Sequence, residues 1–391
     1  MKKTILLFFL VLSILLYSDS DPFSMPDINT DVNMDISMDN MFDTDLFSED
    51  FNKYFEEMNQ EWNEHLQYMD EQWRKLYEES QKEWDKYYEE YAKQEAEFMK
   101  KFEKIWGETF EYTPDKWYDF SDDLKSFSIV TFKGDEKNKY GYVEVKIITD
   151  KNESKQEIEK KIKKQAEKTI NKKDEYTKKP ILDNLVKKED IEKSKIVKEK
   201  EINNKVVYIA KIPIINNPFL ERAKGYIPLI TEMKNKYGIP RPFILSIIQK
   251  ESSFLPKAKS RSGALGLMQL IPRYAATEAY IYLYKRKPNP RSLVYELYDP
   301  EKNVLYGTTY IYLLHKRYFK FEKEYAKRKY MVIASYNMGP VAISKKVRSL
   351  NIDNMNLSSL YNYLLNNTRK ETSDYLKKVL QYERKWNKIY P

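Results

Sequence analysis

Cysteine is absent from the 391 residues. That excludes a disulfide framework, a cysteine zinc site, a cysteine nucleophile and attachment of a lipid to a cysteine. Histidine occurs twice, as His65 and His315, too few for a His-rich metal centre, and no metal or other cofactor is expected. Long hydrophobic runs are also missing. The longest, Ile5 to Tyr17, has 13 residues, where a transmembrane helix needs about 20. With Lys2 and Lys3 before it and the small residues Ser18 and Ser20 after it, the run reads as a signal peptide over residues 1–20. A short uncleaved anchor is the alternative. Export makes ATP-dependent and redox chemistry improbable and extracellular polymers the natural substrates. The expected location is the periplasm or cell envelope, without a lipid anchor.

What the chain does contain is charge, 33% of its residues, alongside 41% apolar ones. The formal net charge of +8 hides a division. Asp21 to Phe110 holds 25 acidic and 9 basic residues, so the remainder is strongly basic. A basic half suits an anionic polymer such as a wall or nucleic acid; with an export signal, nucleic acid is not expected as a partner. The plainer reading is a lysine-rich surface that keeps the protein in solution.

Residues 21–50 are rich in Asp, Asn and Met without a sustained period and are expected to form a flexible acidic linker. Neither Pro nor Gly interrupts residues 51–106, and large apolar residues recur there every eleven positions. One row is Phe51, Trp62, Trp73, Trp84 and Trp106, broken at Glu95. A second is Phe55, Leu66, Tyr77, Tyr88 and Met99. A third is Met58, Met69, Tyr91 and Phe102, broken at Ser80. Offsets of 0, 4 and 7 share a helical face, which predicts one amphipathic helix roughly 80 Å long. The aromatic stripe has to be covered. A second copy, as in a coiled coil, or another helix is one cover; a wall or membrane component is the other, with membrane association weak because the outer face is acidic.

Residues 107–215 change character. Alternation predicts strands over Ser126–Phe132 and Tyr140–Ile148, a helix over Lys155–Lys172, and a hairpin of Ile196–Ile202 and Val206–Ile214 turning at Asn203-Asn204. This predicts a small α+β domain. Residues 216–391 read as an all-α domain, with helices at Phe219–Lys236, Pro242–Ser253, Leu265–Tyr284, Pro300–Tyr318, Glu322–Asn337, Leu357–Leu365 and Thr372–Asn387. The fold class is therefore α+β: a mostly α domain, preceded by a small α+β domain and a long N-terminal amphipathic helix.

Phe243, Ile244, Ile247 and Ile248 form an apolar helix face, and the next residue on it is Glu251. A carboxylate in a core position is costly when ionised, so burial favours the neutral acid. A carboxylic acid near neutral pH is what protonation of a glycosidic oxygen requires. A frayed helix end in water is the alternative for Glu251.

Four blocks surround this position. Glu251-Ser252-Ser253-Phe254 is followed by Ser260 and by Ser262-Gly263-Ala264-Leu265-Gly266-Leu267-Met268-Gln269-Leu270-Ile271-Pro272. Ala334-Ser335-Tyr336-Asn337-Met338-Gly339-Pro340 comes later, and Lys370-Glu371-Thr372 with Tyr375 opens the last helix. In order and spacing they resemble the lytic murein transglycosylases, a group related to goose-type lysozyme, and the resemblance extends upstream to about Met99. It implies a lysozyme-like fold for 216–391 and cleavage of the N-acetylmuramic acid–N-acetylglucosamine bond of peptidoglycan to a 1,6-anhydromuramyl end. It also implies that Glu251 is the single acid/base and that Ser260 hydrogen-bonds its carboxyl. Met268 and Gln269 would then lie beside the cleft, Tyr336 and Asn337 at the sugar-site floor, and Glu371 and Tyr375 at the closing rim. Without the resemblance, Met268 and Tyr336 read as core, Ser260 as a cap or surface hydroxyl, and His315 as a helix-surface residue. A hydrolysing muramidase on the same fold and a non-catalytic glycan-binding envelope protein are the rival functions.

Overall fold

The computed structural model describes residues 49–132, 139–202, 204–348 and 350–391, with the side chains of 49–59, 61–63, 65 and 66 outside the description. The expected signal peptide, the linker to residue 48 and the turn at 133–138 lie outside the described residues. The described residues fall into two compact units. One comprises the described part of Met1–Glu79 with Ile281–Lys287; the other comprises Ser80–Tyr280 and Pro288–Pro391. Among the described residues no helix is long and apolar enough to cross a membrane.

Helix α1 runs from Glu49 to Trp106 without a break, as the absence of Pro and Gly predicts. In the smaller unit its stripe includes the stacked pair Trp73–Tyr77, 5.1 Å between centroids. In the larger unit the stripe is buried by the chain itself. Trp84 and Trp106 are fully buried and Phe102 nearly so. The Trp84 indole donates to Thr277 Oγ1 at 2.8 Å and the Trp106 indole to the Leu124 carbonyl at 2.7 Å. Removing a buried indole of this kind typically costs about 3–5 kcal/mol. The half of the stripe from Trp84 onward therefore needs no second copy to cover it.

Five antiparallel strands follow, in the order β1-β2-β3-β5-β4: β1 Lys116–Phe120, β2 Ser126–Thr131, β3 Tyr142–Asp150, β4 Ile196–Ile202 and β5 Lys205–Pro213. β1 was not foreseen; its five residues are too few for alternation to stand out. β4 and β5 meet in a tight hairpin that pairs Ile202 with Lys205, and Asn204 takes the left-handed conformation there. Helix α2, Lys155–Ile170, is capped by Ser154, which accepts from the Glu157 amide. It lays Ile158, Ile162, Ala166 and Ile170 into a core formed with Val143, Val145, Ile147 and Ala210. The same core takes in Leu255 and Ala258, so the sheet is packed against the turn that follows Glu251. Helix α3, Lys188–Glu192, is one short turn between α2 and β4.

Among the described residues, nine α-helices follow: α4 Pro218–Tyr237, α5 Arg241–Ser252, α6 Thr277–Tyr284, α7 Pro290–Glu296, α8 Pro300–Leu313, α9 Tyr325–Met338, α10 Pro340–Val347, α11 Leu357–Asn367 and α12 Lys370–Asn387. Three begin with an amide or carboxylate cap followed by proline: Asn217-Pro218, Asn289-Pro290 and Asp299-Pro300. The side-chain oxygen accepts an orphan backbone N–H and the ring presets the first helical φ. π-helical turns occupy Pro272–Ala276 and Leu314–Tyr318.

The helix expected over Leu265–Tyr284 is wrong in its first half. Residues 258–270 form a folded-back loop, with bridges Lys259–Leu265 and Leu265–Leu270. Gly263, Gly266 and Gln269 all have left-handed φ values, which no α-helix accommodates. Its second half, 264–270, is buried and largely apolar, and that burial imitates a helical pattern. His315 is likewise misplaced by the sequence: it is 6% exposed and stacks on Tyr325 at 5.4 Å.

Candidate active site

Glu251 sits in the last turn of α5, whose preceding apolar residues Phe243 to Ile248 are buried. Two residues later the chain reverses, with Ser253 and Phe254 both in the left-handed region. Non-glycine residues in this region cost energy and persist where their surroundings impose them. Here three contacts impose the turn. Ser252 Oγ donates to the Leu267 carbonyl at 2.7 Å. Phe254 is fully buried, with its ring 5.7 Å from that of Trp386. Arg222 of α4, itself buried, donates from Nε to the Phe254 carbonyl at 3.0 Å and from Nη1 to the Ile181 carbonyl at 2.6 Å, and its charge is met by Asp174. Arg222 escaped the sequence reading; its signal was a lone arginine one turn before Tyr226 on the apolar face of its helix.

Glu251 as a residue stays partly exposed, yet its carboxyl is enclosed. Burial raises it to about 7, against the opposing pull of a Tyr375 hydrogen bond and the Lys250 charge, while Glu371 adds to the rise. The Tyr375 hydroxyl donates to Glu251 Oε1 at 2.5 Å. Tyr375 stands on α12, which packs along α5 and is anchored there by a Trp386 indole bond to Gln249 Oε1 at 2.8 Å. Lys250 lies 5.2 Å from the Tyr375 ring.

The 258–270 loop forms the neighbouring wall. Asn303 of α8 is fully buried and holds the loop from inside: its Oδ1 accepts from the Met268 amide at 2.7 Å, and its Nδ2 donates to the Leu265 and Leu297 carbonyls at 2.9 and 2.8 Å. Gly266 is required where the loop passes this amide. A Cβ there would lie 2.2 Å from the Leu297 carbonyl oxygen and 2.3 Å from Asn303 Nδ2. Tyr336 of α9 donates to the Met268 carbonyl at 2.9 Å. Its hydroxyl is pushed far above the usual range by burial and also by Glu251, so the two groups share one enclosed space. At the rim, Asn337 donates to Glu371 Oε1 at 3.3 Å and accepts from Thr372 Oγ1 at 2.7 Å.

Glu251, Tyr336, Asn337, Glu371 and Tyr375 are thus brought together. Three other expected positions behave differently. Ser260 bonds within its own loop, to Ser262 Oγ at 3.0 Å and from the Ala264 amide at 3.0 Å, and among the described residues no hydrogen bond joins it to Glu251. The carboxyl is held by Tyr375 instead. The Met268 side chain is fully buried beneath Gly307, so it is the backbone of Met268 that meets the site. Gln269 is 8% exposed and spends its amide on the Ala258 and Gly266 carbonyls. Met268 and Gln269 shape the wall; their side chains are turned inward.

Residues 228–356 match the family model described as Transglycosylase SLT domain. The match takes in Glu251, the 258–270 loop and the Tyr336-Asn337 pair, whereas Glu371 and Tyr375 lie beyond it. The chain is 34% identical over 191 residues to membrane-bound lytic murein transglycosylase C of Edwardsiella ictaluri, covering 47% of this chain and 52% of that protein. The protein of the same name from Photorhabdus laumondii is 40% identical over 134 residues, 34% of this chain and 37% of its own. The chain spans about half or less of the length of these curated relatives. Among solved structures, the 70 kDa soluble lytic transglycosylase SLT70 of Escherichia coli is 26% identical over 40% of this chain and 23% of its own, with a TM-score of 0.33.

Proposed function

We propose that this chain is a lytic transglycosylase of the bacterial envelope, cleaving the bond between N-acetylmuramic acid and N-acetylglucosamine in peptidoglycan glycan strands without water. The observation that carries this reading is the enclosed Glu251 carboxyl, raised to about 7 and gripped by Tyr375. The SLT match and the relatives named lytic murein transglycosylase support it. Glu251 protonates the glycosidic oxygen. The substrate's 2-acetamido group stabilises the positive C1, and Glu251, now a carboxylate, takes the proton of the muramyl 6-hydroxyl, which attacks C1. The product is a 1,6-anhydromuramyl end. An intramolecular nucleophile held in position is worth on the order of 7 kcal/mol or more in good cases. Tyr336, Asn337 and Glu371 offer donors and acceptors for the sugar and its N-acetyl group.

In this reading 216–391 is a lysozyme-like catalytic domain, 107–215 a small α+β domain beside it, and 1–20 a signal peptide that exports the chain to the periplasm. Digestion of purified wall followed by mass analysis tests the chemistry. Fragments one water lighter than hydrolysis products are expected, with loss of at least about a thousandfold in rate for Glu251→Gln. Hydrated reducing ends would identify a muramidase instead. Binding of sacculi with no fragments released would leave a glycan-binding protein.

A further inference from the structure

The eleven-residue rows of α1 break at Glu95, a carboxylate in the row that elsewhere carries Phe51 and four tryptophans. Glu95 meets Lys259 of the 258–270 loop, whose Nζ lies 3.0 and 3.1 Å from the two carboxylate oxygens. Tyr91 Oη donates to Glu95 Oε2 and accepts from Lys259, each at 2.5 Å. The same ammonium sits 4.0 Å from the centroid of the Tyr112 ring. Some 20 Å back along the helix, Gln81 holds Arg273 with both ends of its amide. Its Nε2 donates to the Arg273 carbonyl at 3.1 Å, and its Oε1 accepts from Arg273 Nε at 2.6 Å. Trp84, one turn on, donates to Thr277. A single unbroken helix therefore grips the chain at Lys259, where the loop begins, and at Arg273 and Thr277, just after it ends.

We propose that residues 81–95 of α1 are a strap that positions the Glu251 site by fixing both ends of the 258–270 loop. The proposal rests on the transglycosylase reading for its reaction. Glu95 and Lys259 act through the loop and not on the substrate. The loop has the means to pass the constraint on. Its backbone is tied across itself by the Lys259–Leu265 and Leu265–Leu270 bridges, with the Ser260 amide bonded to the Ala264 carbonyl and the Gly266 amide to the Ala258 carbonyl, each at 2.9 Å. At its far end the Leu267 carbonyl accepts from Ser252, the neighbour of Glu251, and the Met268 carbonyl accepts from Tyr336, which shares the enclosed space of that carboxyl.

Burial decides which contacts of the strap matter. The Lys259 and Glu95 side chains are 14% and 28% exposed. Burial pushes the Lys259 ammonium down and the Glu95 carboxylate holds it up. Removing one partner leaves the other enclosed and uncompensated, which is strongly unfavourable, so this end of the loop has to move to let the charge reach water. The Glu90–Arg291 pair on the same helix is 57% and 63% exposed. Water solvates both of its ions, and such a pair contributes little.

The test measures release of anhydro fragments from solubilised glycan strands by the full chain. Glu95→Gln and Lys259→Met should each lower kcat about tenfold with KM little changed, because a small misplacement of reacting groups acts on the chemical step. The exchanged pair, Glu95→Lys with Lys259→Glu, should recover most of that loss, and Glu90→Gln should change nothing. In the full chain carrying Glu251→Gln, hydrogen exchange of the Leu265 and Leu270 amides, which bond each other's carbonyls, should speed up about tenfold in the two single variants and slow again in the exchanged pair. An unchanged kcat, a rise in KM alone, unchanged exchange, or an exchanged pair no better than the single variants overturns the strap. Wild-type protein that releases no anhydro fragments overturns the cleavage reading alone, because the exchange rates are read in a protein that does not cut.

Discussion

Glu251 shows how one residue acquires its chemistry from what surrounds it. Burial drives its carboxyl toward the neutral form, and the Tyr375 hydroxyl, by bonding the charged form, pulls the other way. Burial wins, so the acid is still half protonated near pH 7. Cleavage that begins with a proton from this acid is expected to fall as pH rises through about 7. Tyr375→Phe removes the group that stabilises the carboxylate, so the falling limb should move to higher pH by roughly one unit or more. A pH–rate profile on solubilised wall checks this; a limb that stays in place or moves down contradicts it. Replacing Ser260 should leave the limb unmoved, since its hydroxyl is spent on Ser262 and Ala264.

At the scale of elements, the 258–270 loop is the part on which the site depends. Asn303 holds it through two hydrogen bonds, to Leu265 and Met268, and Gly266 is the residue that lets it lie there. Two glycines of the loop make a matched pair. Gly266 and Gly263 both have left-handed φ, 75° and 80°, but an added Cβ at Gly263 meets nothing within 4 Å. Gly263→Ala should therefore cost only the backbone strain, about 1 kcal/mol. Gly266→Ala adds a collision with a backbone carbonyl and the Asn303 amide and should cost roughly 3 kcal/mol or more. Urea denaturation of the two variants measures the difference; equal losses would show that the loop shifts freely.

For the molecule as a whole, two buried groups outside the site set opposing pH trends. Glu278 is 6% exposed, accepts a bond from Tyr318 at 2.8 Å, and is raised by burial from 4.5 to about 7. Between those values the unfolded chain gives up a proton that the folded protein keeps, so stability falls as pH rises, by about 3 kcal/mol in all. His315 is lowered by burial from 6.5 to about 3, and neither ring nitrogen finds a hydrogen-bond partner among the described residues. Below 6.5 the unfolded chain takes up a proton that the folded imidazole refuses, so stability falls as pH drops. Relative to the parent, Glu278→Gln should gain stability as pH rises from 4.5 to 7, and His315→Gln should gain as pH falls from 6.5. Denaturation midpoints across that range decide; differences independent of pH would refute the assignment.

Periodicity and punctuation carried the sequence a long way. They located α1, α2, the β4–β5 hairpin and most later helices, because each depends on spacing or on a cap within a few residues. The position of Glu251 on an apolar face was also legible, since a helix turns by the same angle wherever it occurs. Partners distant in the chain were not legible. That Tyr375, 124 residues away, is the group bonding Glu251, that Arg222 braces the turn after it, and that Glu95 reaches Lys259 across 164 residues were decided only by tertiary packing. The apolar end of the 258–270 loop, 265–270, read as the start of a helix for the same reason: burial was visible in its composition, but the left-handed φ values at Gly266 and Gln269 are imposed by what the loop folds against.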